Sequence, residues 1–451
     1  MTIHRRRFLQ LGAAGLALSP SIPFLRNPMF RRALEAADCD LSPAKKMLVI
    51  WQRGGNDGVN TIIPFGDSTY NPTTRPTLFI DAPDRIDLNG YCALHPALWK
   101  LQEVLAAEDL AIVHRVGYPS QSRSHFRSQN IWENALPTNS ELPVGWVNNL
   151  ISADATLDAS PFPAASVSNQ QQLLFQGPKV LSHINDLTEY SLGSSPADLK
   201  LIGALPGAGT DGTGLLGIYS DPATGAFYDA MIRDTGNAMT AGLDHLICRQ
   251  VDPDSYVPYG GATYPSNSAP EEFSGGTSFN FFRQLKQAVQ LLKETDVRVV
   301  GVEIGGWDLH SNQGGVTGNH ADRLNNVAHG IRSAFRDLQD PMADIWNDTV
   351  ILTNTEFGRT SLENNSVGTD HAEASVVLVA GGAVSGGLWN CDATTWSDGD
   401  LLSIDGNYLS HQTDFRAIFA EIASNHFGLG ASLDSIIPGW SGLGLSFPGI
   451  V

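Results

Sequence analysis

The chain contains four runs of apolar residues, and each is followed by glycine or polar residues. They lie at residues 46–52, 110–116, 297–304 and 349–354 and are rich in Val, Ile and Leu. Uninterrupted apolar runs of this length are typical of parallel strands that are buried on both faces of a sheet. The pattern therefore predicts a sheet of mostly parallel strands.

Segments with helical periodicity lie between these runs. Apolar residues recur at a spacing of 3.6 residues over 96–105, 277–295 and 321–338, and further helices are predicted at 223–249 and 413–427. Alternating strands and helices predict an α/β fold, a doubly wound sheet with helices on both faces. A further strand at 375–381 is expected to run antiparallel near an edge of the sheet.

The middle of the chain has a different composition. Residues 137–277 are rich in Gly, Ser, Asn, Pro and Ala and contain no motif of their own. We interpret this range as an insertion or lid on one α/β domain that covers 41–451, with a separate small domain as the alternative. Residues 1–40 are interpreted as an export signal and linker.

The net charge limits the classes of molecule that are expected to bind the protein. The chain carries a formal charge of −19, although residues 1–40 hold six arginines against three acids. Such an acidic surface repels nucleic acid, which is therefore an unlikely binding partner. With 42% hydrophobic and 17% charged residues, the composition is that of a globular protein with a sizeable core.

The first residues resemble a targeting signal. Arg5-Arg6-Arg7-Phe8-Leu9 is similar to the R-R-x-F-L motif of twin-arginine export, and the apolar stretch that follows is too short for a stable membrane span. We expect the twin-arginine translocase as a transient partner and a periplasmic or secreted location; a basic terminus without export is the alternative. The four cysteines show no metal or redox spacing, so one disulfide of unassigned pairing is compatible with export.

Chemically active residues follow the apolar runs. Because the carboxyl ends of parallel strands meet at one edge, these residues are expected to lie close together. A cluster of carboxylates and imidazoles persists only with a cation, and these donors suit one or two divalent ions, with Zn²⁺, Mn²⁺, Mg²⁺ and Ca²⁺ left open. The predicted metal ligands are Asp57, Asp308, His310, Glu356, Asp370 and His371.

A serine-rich loop follows the second apolar run. Ser122 and Ser124 are candidate nucleophiles, with His125 beside Ser124 as a catalytic residue. Arg359 is predicted to stabilise charge during catalysis, and Arg53 and Arg123 to bind an anion. The alternative is that these loop carboxylates simply pair with nearby arginines and water.

Five motifs, RGGNDG, SRSHF, GGWDLH, TEFGRT and GTDH, occur in this order. Together with the basic terminus, they resemble a bacterial family known only as domain of unknown function 1501, which is grouped with alkaline phosphatases, sulfatases and phosphopentomutases. The resemblance implies an alkaline phosphatase-like α/β fold with a metal site at the carboxyl edge of the sheet. It also implies that Asp57 and His371 bind metal and that the serine-rich loop supplies the nucleophile. Ser124 is preferred over Ser122 because its SHF context is most similar to the family motif.

The chain departs from the superfamily pattern at two places. Asp308 and His310 are only two residues apart, and Glu356-Phe357 stands where the superfamily has Asp-His. A sulfatase nucleophile motif is also absent. The leading hypothesis is an exported, metal-dependent hydrolase of phosphate or sulfate esters, acting on a small-molecule or glycan substrate. The alternative is a non-catalytic periplasmic or surface binding protein on a degenerate phosphatase scaffold.

Overall fold

The computed structural model describes residues 44–189, 251–266, 272–273 and 275–451, with scattered residues between 234 and 249. The chain divides into two compact units, and the larger comprises Leu41–Tyr190, Ala238–Leu243 and Val251–Val451. The smaller unit lies almost wholly outside the described residues. The same is true of the predicted export signal and of most of the helix predicted at 223–249.

Within the described residues, a nine-stranded sheet runs in the order β11-β5-β10-β9-β1-β8-β6-β7, with β12 also beside β5. A small sheet has the order β2-β4-β3. The strands are β1 (Lys46–Gln52), β2 (Ile62–Ile63), β3 (Ile86–Asp87), β4 (Ala93–Leu94), β5 (Leu110–Gly117), β6 (Ala164–Val167), β7 (Ser182–Ile184), β8 (Val299–Ile304), β9 (Thr349–Asn354), β10 (Ser375–Ala380), β11 (Gly387–Trp389) and β12 (Thr413–Asp414).

The central strands are parallel, as their apolar character predicts. Strand β1 pairs in parallel with β8 and β9, and β6 pairs in parallel with β7 and β8. Every residue of β1 and β9 is buried. The prediction of an α/β fold with a mostly parallel sheet is confirmed.

Two details of the sheet differ from the prediction. Strand β10 is antiparallel to both neighbours, as expected, but it lies between β5 and β9 and not at an edge. Its six residues are all buried, which an interior position requires. Strands β6 and β7, from the range interpreted as an insertion or lid, belong to the main sheet.

Helices surround the sheet. Strand residues Met47, Val49 and Trp51 share a buried core with the aromatic residues Trp132 and Phe415. The intervening strand residues are buried as well, so both faces of β1 are covered. The α-helices of the described part are α1 (Gly58–Thr61), α2 (Gln102–Ala106), α3 (His125–Asn134), α4 (Trp146–Ala153), α5 (Ala155–Ala159), α6 (Gly275–Glu294), α7 (Asn319–Asp337), α8 (Phe415–Glu421) and α9 (Leu433–Ile436).

A disulfide joins two distant loops. Cys92, beside the small sheet, is bonded to Cys391, which follows β11, across a sequence separation of 299 residues. The sequence left this pairing open. Among the helices in the described ranges, none combines the length and the apolar character needed to cross a bilayer.

Candidate metal centre

Three loops meet where the neighbouring strands β8, β1 and β9 end. Gly54 follows β1 with a φ of 124°, and a Cβ atom there would lie 2.4 Å from the backbone nitrogen of Asp308, in the loop after β8. Any side chain at this position would therefore force the two loops apart. The glycine pair of the RGGNDG motif explains how the loops after β1 and β8 come into contact.

Asp308 and two histidines form a tight triangle at this edge. The Nε2 atoms of His310 and His371 lie 2.9 Å apart, and they lie 3.1 and 3.2 Å from Asp308 Oδ1. An ion that binds ligands at roughly 2.0–2.1 Å in tetrahedral geometry holds the ligand atoms about 3.3 Å from one another. The three atoms thus have nearly the spacing of ligands around one ion.

The second ring nitrogen of each histidine is already occupied. His371 Nδ1 donates to the backbone oxygen of Arg123 at 2.8 Å, and His310 Nδ1 donates to the carboxylate of Asp370 at 2.8 Å. In the neutral rings, both Nε2 atoms then carry lone pairs, and these face each other and a carboxylate. Such an arrangement requires a cation, either a proton or a metal ion.

A third histidine faces the same carboxylate. His125, the first residue of α3, lies with its Nε2 atom 3.4 Å from Asp308 Oδ2. This Nε2 atom is buried and has no hydrogen-bond partner. The potential ligand atoms of His125, Asp308 and His371 all lie within 4.8 Å of one another. His125 was predicted as a catalytic residue, and its position in this group also allows it to act as a metal ligand.

Glu356 lies behind His125. Its Oε1 atom accepts hydrogen bonds from His125 Nδ1 at 2.8 Å, from Gly54 N at 2.8 Å and from Gln129 Nε2 at 2.9 Å. Burial acts to raise the pKa of Glu356, but the bonds from His125 and Gln129 outweigh it and lower the pKa. The same bond raises the pKa of His125, against the effect of burial. Glu356 therefore orients a histidine, as does Asp370.

The guanidinium of Arg359 forms an ion pair with the carboxylate of Asp308. The buried guanidinium donates to Asp308 Oδ1 at 2.5 Å and to the backbone oxygens of Gly54, Gly55, Trp307 and Thr369. Burial acts to raise the pKa of Asp308, yet Arg359 and the nearby histidines lower it to about 2. Asp308 is thus ionised and available as a ligand at neutral pH. The donors of Arg359 are directed at the protein itself.

The two arginines predicted to bind an anion also have protein partners. Arg123 contacts Glu373 at 2.9 Å and lies over the ring of Tyr408 at 3.7 Å. Arg53 contacts Glu133 at 2.6 Å and Glu303 at 3.1 Å. Each guanidinium is therefore neutralised within the protein.

Asp57 does not face the histidines. Its buried carboxylate forms an ion pair with Arg75 at 2.6 Å and accepts a hydrogen bond from Gln313 at 2.6 Å. Burial acts to raise the pKa of Asp57, and Arg75 more than compensates. Gln313 in turn accepts from the hydroxyl of Thr369, two residues before His371. Asp57 thus lies in a network that supports the loop of His371.

Ser124 lies directly before His125, as the N-cap residue of α3. It is exposed, and its side chain makes no capping hydrogen bond. Its backbone nitrogen donates to Ser122 Oγ at 3.3 Å, so both candidate nucleophiles lie in the same turn. The hydroxyl of Ser124 is therefore not occupied as a helix cap.

Sequence reasoning missed four supporting residues. Gln129, Arg75, Gln313 and Asn364 hold Glu356, Asp57, Thr369 and Asp370 respectively. Gln129 lies on the same helix as His125, whereas Arg75 lies in the loop between β2 and β3, which carries no predicted site residue. Nothing in their local sequence distinguishes the four from surface polar residues. Only the spacing of Gln129, four residues after His125 on one helix face, was available as an indication.

Comparison with known proteins gives one family and several weak structural likenesses. Residues 268–399 match the model of a family described as a protein of unknown function, DUF1501, in agreement with the resemblance for the three motifs in this range, GGWDLH, TEFGRT and GTDH. This range contains Asp308, His310 and His371 but not His125. No curated protein matches the chain.

Among solved structures, a lipoteichoic acid synthase from Listeria monocytogenes has 7% identity and a TM-score of 0.31, covering 77% of this chain and 70% of that chain. A TAB5 alkaline phosphatase variant with Mg bound in its M3 site has 9% identity and a TM-score of 0.28, covering 88% and 99%. A phosphonate monoester hydrolase from Silicibacter pomeroyi has 10% identity and a TM-score of 0.27, covering 80% and 73%. Because these TM-scores are low, we take neither a reaction nor a substrate from these proteins.

Proposed function

We propose that the protein is an exported, metal-dependent hydrolase of phosphate or sulfate esters. One divalent ion is held by Asp308, His310 and His371, and His125 supplies a fourth donor. The observation that carries the proposal is the orientation of the histidines. Each Nδ1 is occupied by a carboxylate or a backbone carbonyl, and each Nε2 faces Asp308.

The donor set fits a metal ion. The buried Nε2 atom of His125 has no hydrogen-bond partner, and the pKa of His371 is lowered by burial, which favours the neutral ring that binds metals. Three imidazoles and one carboxylate favour Zn²⁺ over Mg²⁺ or Ca²⁺, which prefer oxygen ligands. Glu356 and Asp370, predicted as ligands, orient His125 and His310, so one ion is proposed and not two.

Hydrolysis of an ester is the chemistry that this site supports best. A bound divalent ion would act as a Lewis acid that stabilises negative charge on the ester group and on an oxygen nucleophile. The Ser124 hydroxyl would attack the phosphorus or sulfur, and the bond to the alcohol would break. Water would then release the group from Ser124.

The alternative function is a binding protein without catalysis. One observation favours it: Arg53, Arg123 and Arg359 all have carboxylate partners within the protein. A catalytic site for an ester anion needs donors that remain available to the substrate. Under this alternative, the ion and its histidines would serve only to bind a ligand.

Metal analysis followed by an activity screen separates the two functions. Elemental analysis of the purified full chain is expected to give about one Zn²⁺ per chain. This is the metal content expected for a protein with one site built from ligands of the catalytic zinc type. Nitrophenyl phosphate and nitrophenyl sulfate then test hydrolysis. Ser124→Ala should abolish turnover and keep the metal, while Ser122→Ala serves as the matched control in the same turn.

Either of two results decides against the hydrolase. Absence of stoichiometric metal after loading and dialysis would remove the metal centre. A metal-loaded protein that hydrolyses neither ester, or whose activity is unchanged in Ser124→Ala, would favour the binding protein or another nucleophile.

Export is the second part of the proposal. The disulfide between Cys92 and Cys391 supports it, because disulfides persist in oxidising compartments outside the cytoplasm. Replacing Arg5, Arg6 and Arg7 together by Lys should retain the full chain in the cytoplasm of cells that carry a twin-arginine translocase. Unchanged export of that variant would contradict the proposed route.

A further inference from the structure

A cationic side chain packs against the loop that carries Asp308. Arg323, on α7, packs against Gly306, which precedes Asp308 by two residues. A Cβ atom at Gly306 would lie 2.7 Å from Arg323 Nε and 2.9 Å from its Nη2. Gly306 has a φ of 86°, so both its backbone and the guanidinium above it require glycine at this position. The second glycine of the GGWDLH motif therefore makes room for an arginine.

Arg323 differs from the arginines that the sequence singled out. Its Nε is buried and has no hydrogen-bond partner among the described residues. Within the part of the chain that the structure describes, no carboxylate forms an ion pair with it; Asp322, its neighbour on the helix, acts on it only through longer-range electrostatics. Partial burial of an unpaired guanidinium costs free energy, which a bound anion would recover.

The backbone one residue before Gly306 is open. A Cβ atom at Gly305 would meet no atom within 4 Å, so the backbone between β8 and Asp308 borders free space. We expect an anion in this space to lie along the loop of Asp308, one residue from the glycine on which the planar guanidinium packs. Arginine is the side chain best suited to bind the oxygens of a phosphate or sulfate group, because its donors match them in pairs.

We propose that Arg323, packed on Gly306 beside the open backbone at Gly305, forms the oxyanion subsite that binds the phosphate or sulfate group of the substrate. The inference rests on the proposed hydrolase function, for which it supplies the missing anion-binding donor. It assigns this role to a residue outside all five sequence motifs. Arg53 and Arg123 then serve to hold the surrounding loops.

Calorimetric titration with inorganic phosphate, and separately with inorganic sulfate, tests the subsite on the full chain with and without added Zn²⁺. Arg323→Gln should weaken binding of the anion by about tenfold or more, as expected for loss of a charge-assisted hydrogen bond. Arg323→Lys should retain part of the affinity. Gly306→Ala should produce a similar loss with Arg323 still present, because the added Cβ displaces the guanidinium.

Arg332→Gln is the matched control. Arg332 is on the same helix and also has a buried Nε without a partner, but it lies 5.5 Å from the ring of Trp99 and not against Gly306. Its replacement should leave anion binding unchanged. Circular dichroism of each variant establishes that the chain is folded.

The outcomes distinguish the subsite from the metal centre. Three results would contradict the subsite. They are wild-type anion affinity in Arg323→Gln, equal losses of anion affinity in Arg323→Gln and Arg332→Gln, and no binding of either anion by the wild-type protein. Elemental analysis of the same samples tests the metal independently. If the wild-type protein holds no metal but binds phosphate through Arg323, the proposed hydrolase fails and the anion subsite stands.

Discussion

The Nε2 atoms of His310 and His371 lie 2.9 Å apart, while the Nδ1 atoms of both rings are bonded to acceptors on the protein. Two neutral imidazoles cannot present lone pairs to each other at this distance without a cation between or beside them. This pair supports the proposed metal centre. It also makes the metal content of histidine variants the most direct measurement on this protein.

Replacement of His371 by Gln should remove the metal. His371 contacts both Asp308 and His310, so its loss leaves too few convergent donors for tight binding. The expected result is less than a tenth of the wild-type metal content after dialysis, about the loss that follows from removing one ligand. His183→Gln, on β7 at the far end of the sheet order, is the matched control and should keep full metal content.

Glu356→Gln tests whether this carboxylate orients His125 or binds metal itself. The change keeps the shape of the side chain but weakens its bond to His125 Nδ1. Metal affinity should fall by about 10-fold to 100-fold, as for a residue that orients a ligand, without abolishing binding. A competition titration with a chelator gives the affinity. Complete loss of metal would instead indicate direct ligation, and Glu103→Gln, which affects only the Arg336 pair, is the control.

Asp57→Asn should affect stability more than metal binding. The change leaves the buried guanidinium of Arg75 without its anionic partner, which should cost about 3–5 kcal/mol in the free energy of unfolding. Urea unfolding measures this loss, and the folded protein should still bind the ion. Asp414→Asn breaks the similarly buried pair with Arg416 and provides a destabilised control. Loss of metal with unchanged stability would show that Asp57 is a ligand.

Val367→Asn should stabilise the protein. Val367 has a φ of 61°, a left-handed conformation that a β-branched residue adopts at a cost, and its side chain is 38% exposed. Asn tolerates this conformation, so thermal unfolding should show a gain of about 1 kcal/mol. Val257→Asn, at another exposed valine with an ordinary φ, should give no such gain. Equal effects of the two changes would contradict the explanation by strain.

The buried His114 should contribute to unfolding in acid. Burial, the largest effect, lowers its pKa from 6.5 to about 3, and both ring nitrogens are hydrogen-bonded in the neutral form. Above pH 6.5 the ring is neutral in both states. Between pH 6.5 and about 3 only the unfolded chain takes up the proton, so stability falls as the pH falls, by at most about 1.4 kcal/mol per pH unit.

Variants at neighbouring positions of β5 measure this dependence. His114→Asn removes the titrating ring, so the free energy of unfolding should decline less steeply with acid in this variant. Val113→Ala, which removes buried apolar volume from the same strand, should lower stability at every pH and keep the wild-type slope. Equal slopes in His114→Asn and the wild-type protein would exclude a contribution from His114.

The sequence by itself determined the class of fold and the edge of the sheet at which the chemistry lies. Continuous apolar runs require burial on both faces, which predicts parallel strands whose following loops meet at one edge. The order β9-β1-β8 of these strands came from the structure. Asp308, His310 and His371 could be identified for that reason, since each lies in a loop at the sheet edge.

Only the tertiary structure decided which polar groups face one another. Asp57 and Asp308 look equivalent in sequence, each beyond a strand and a glycine pair, yet one is paired with the distant Arg75 and the other faces three histidines. Likewise, Arg359 is directed at backbone carbonyls, whereas the buried Nε of Arg323 has no hydrogen-bond partner in the described part of the chain. Hydrogen bonding and ion pairing depend on separations of about 3 Å between groups far apart in the chain, and local sequence patterns do not carry that information.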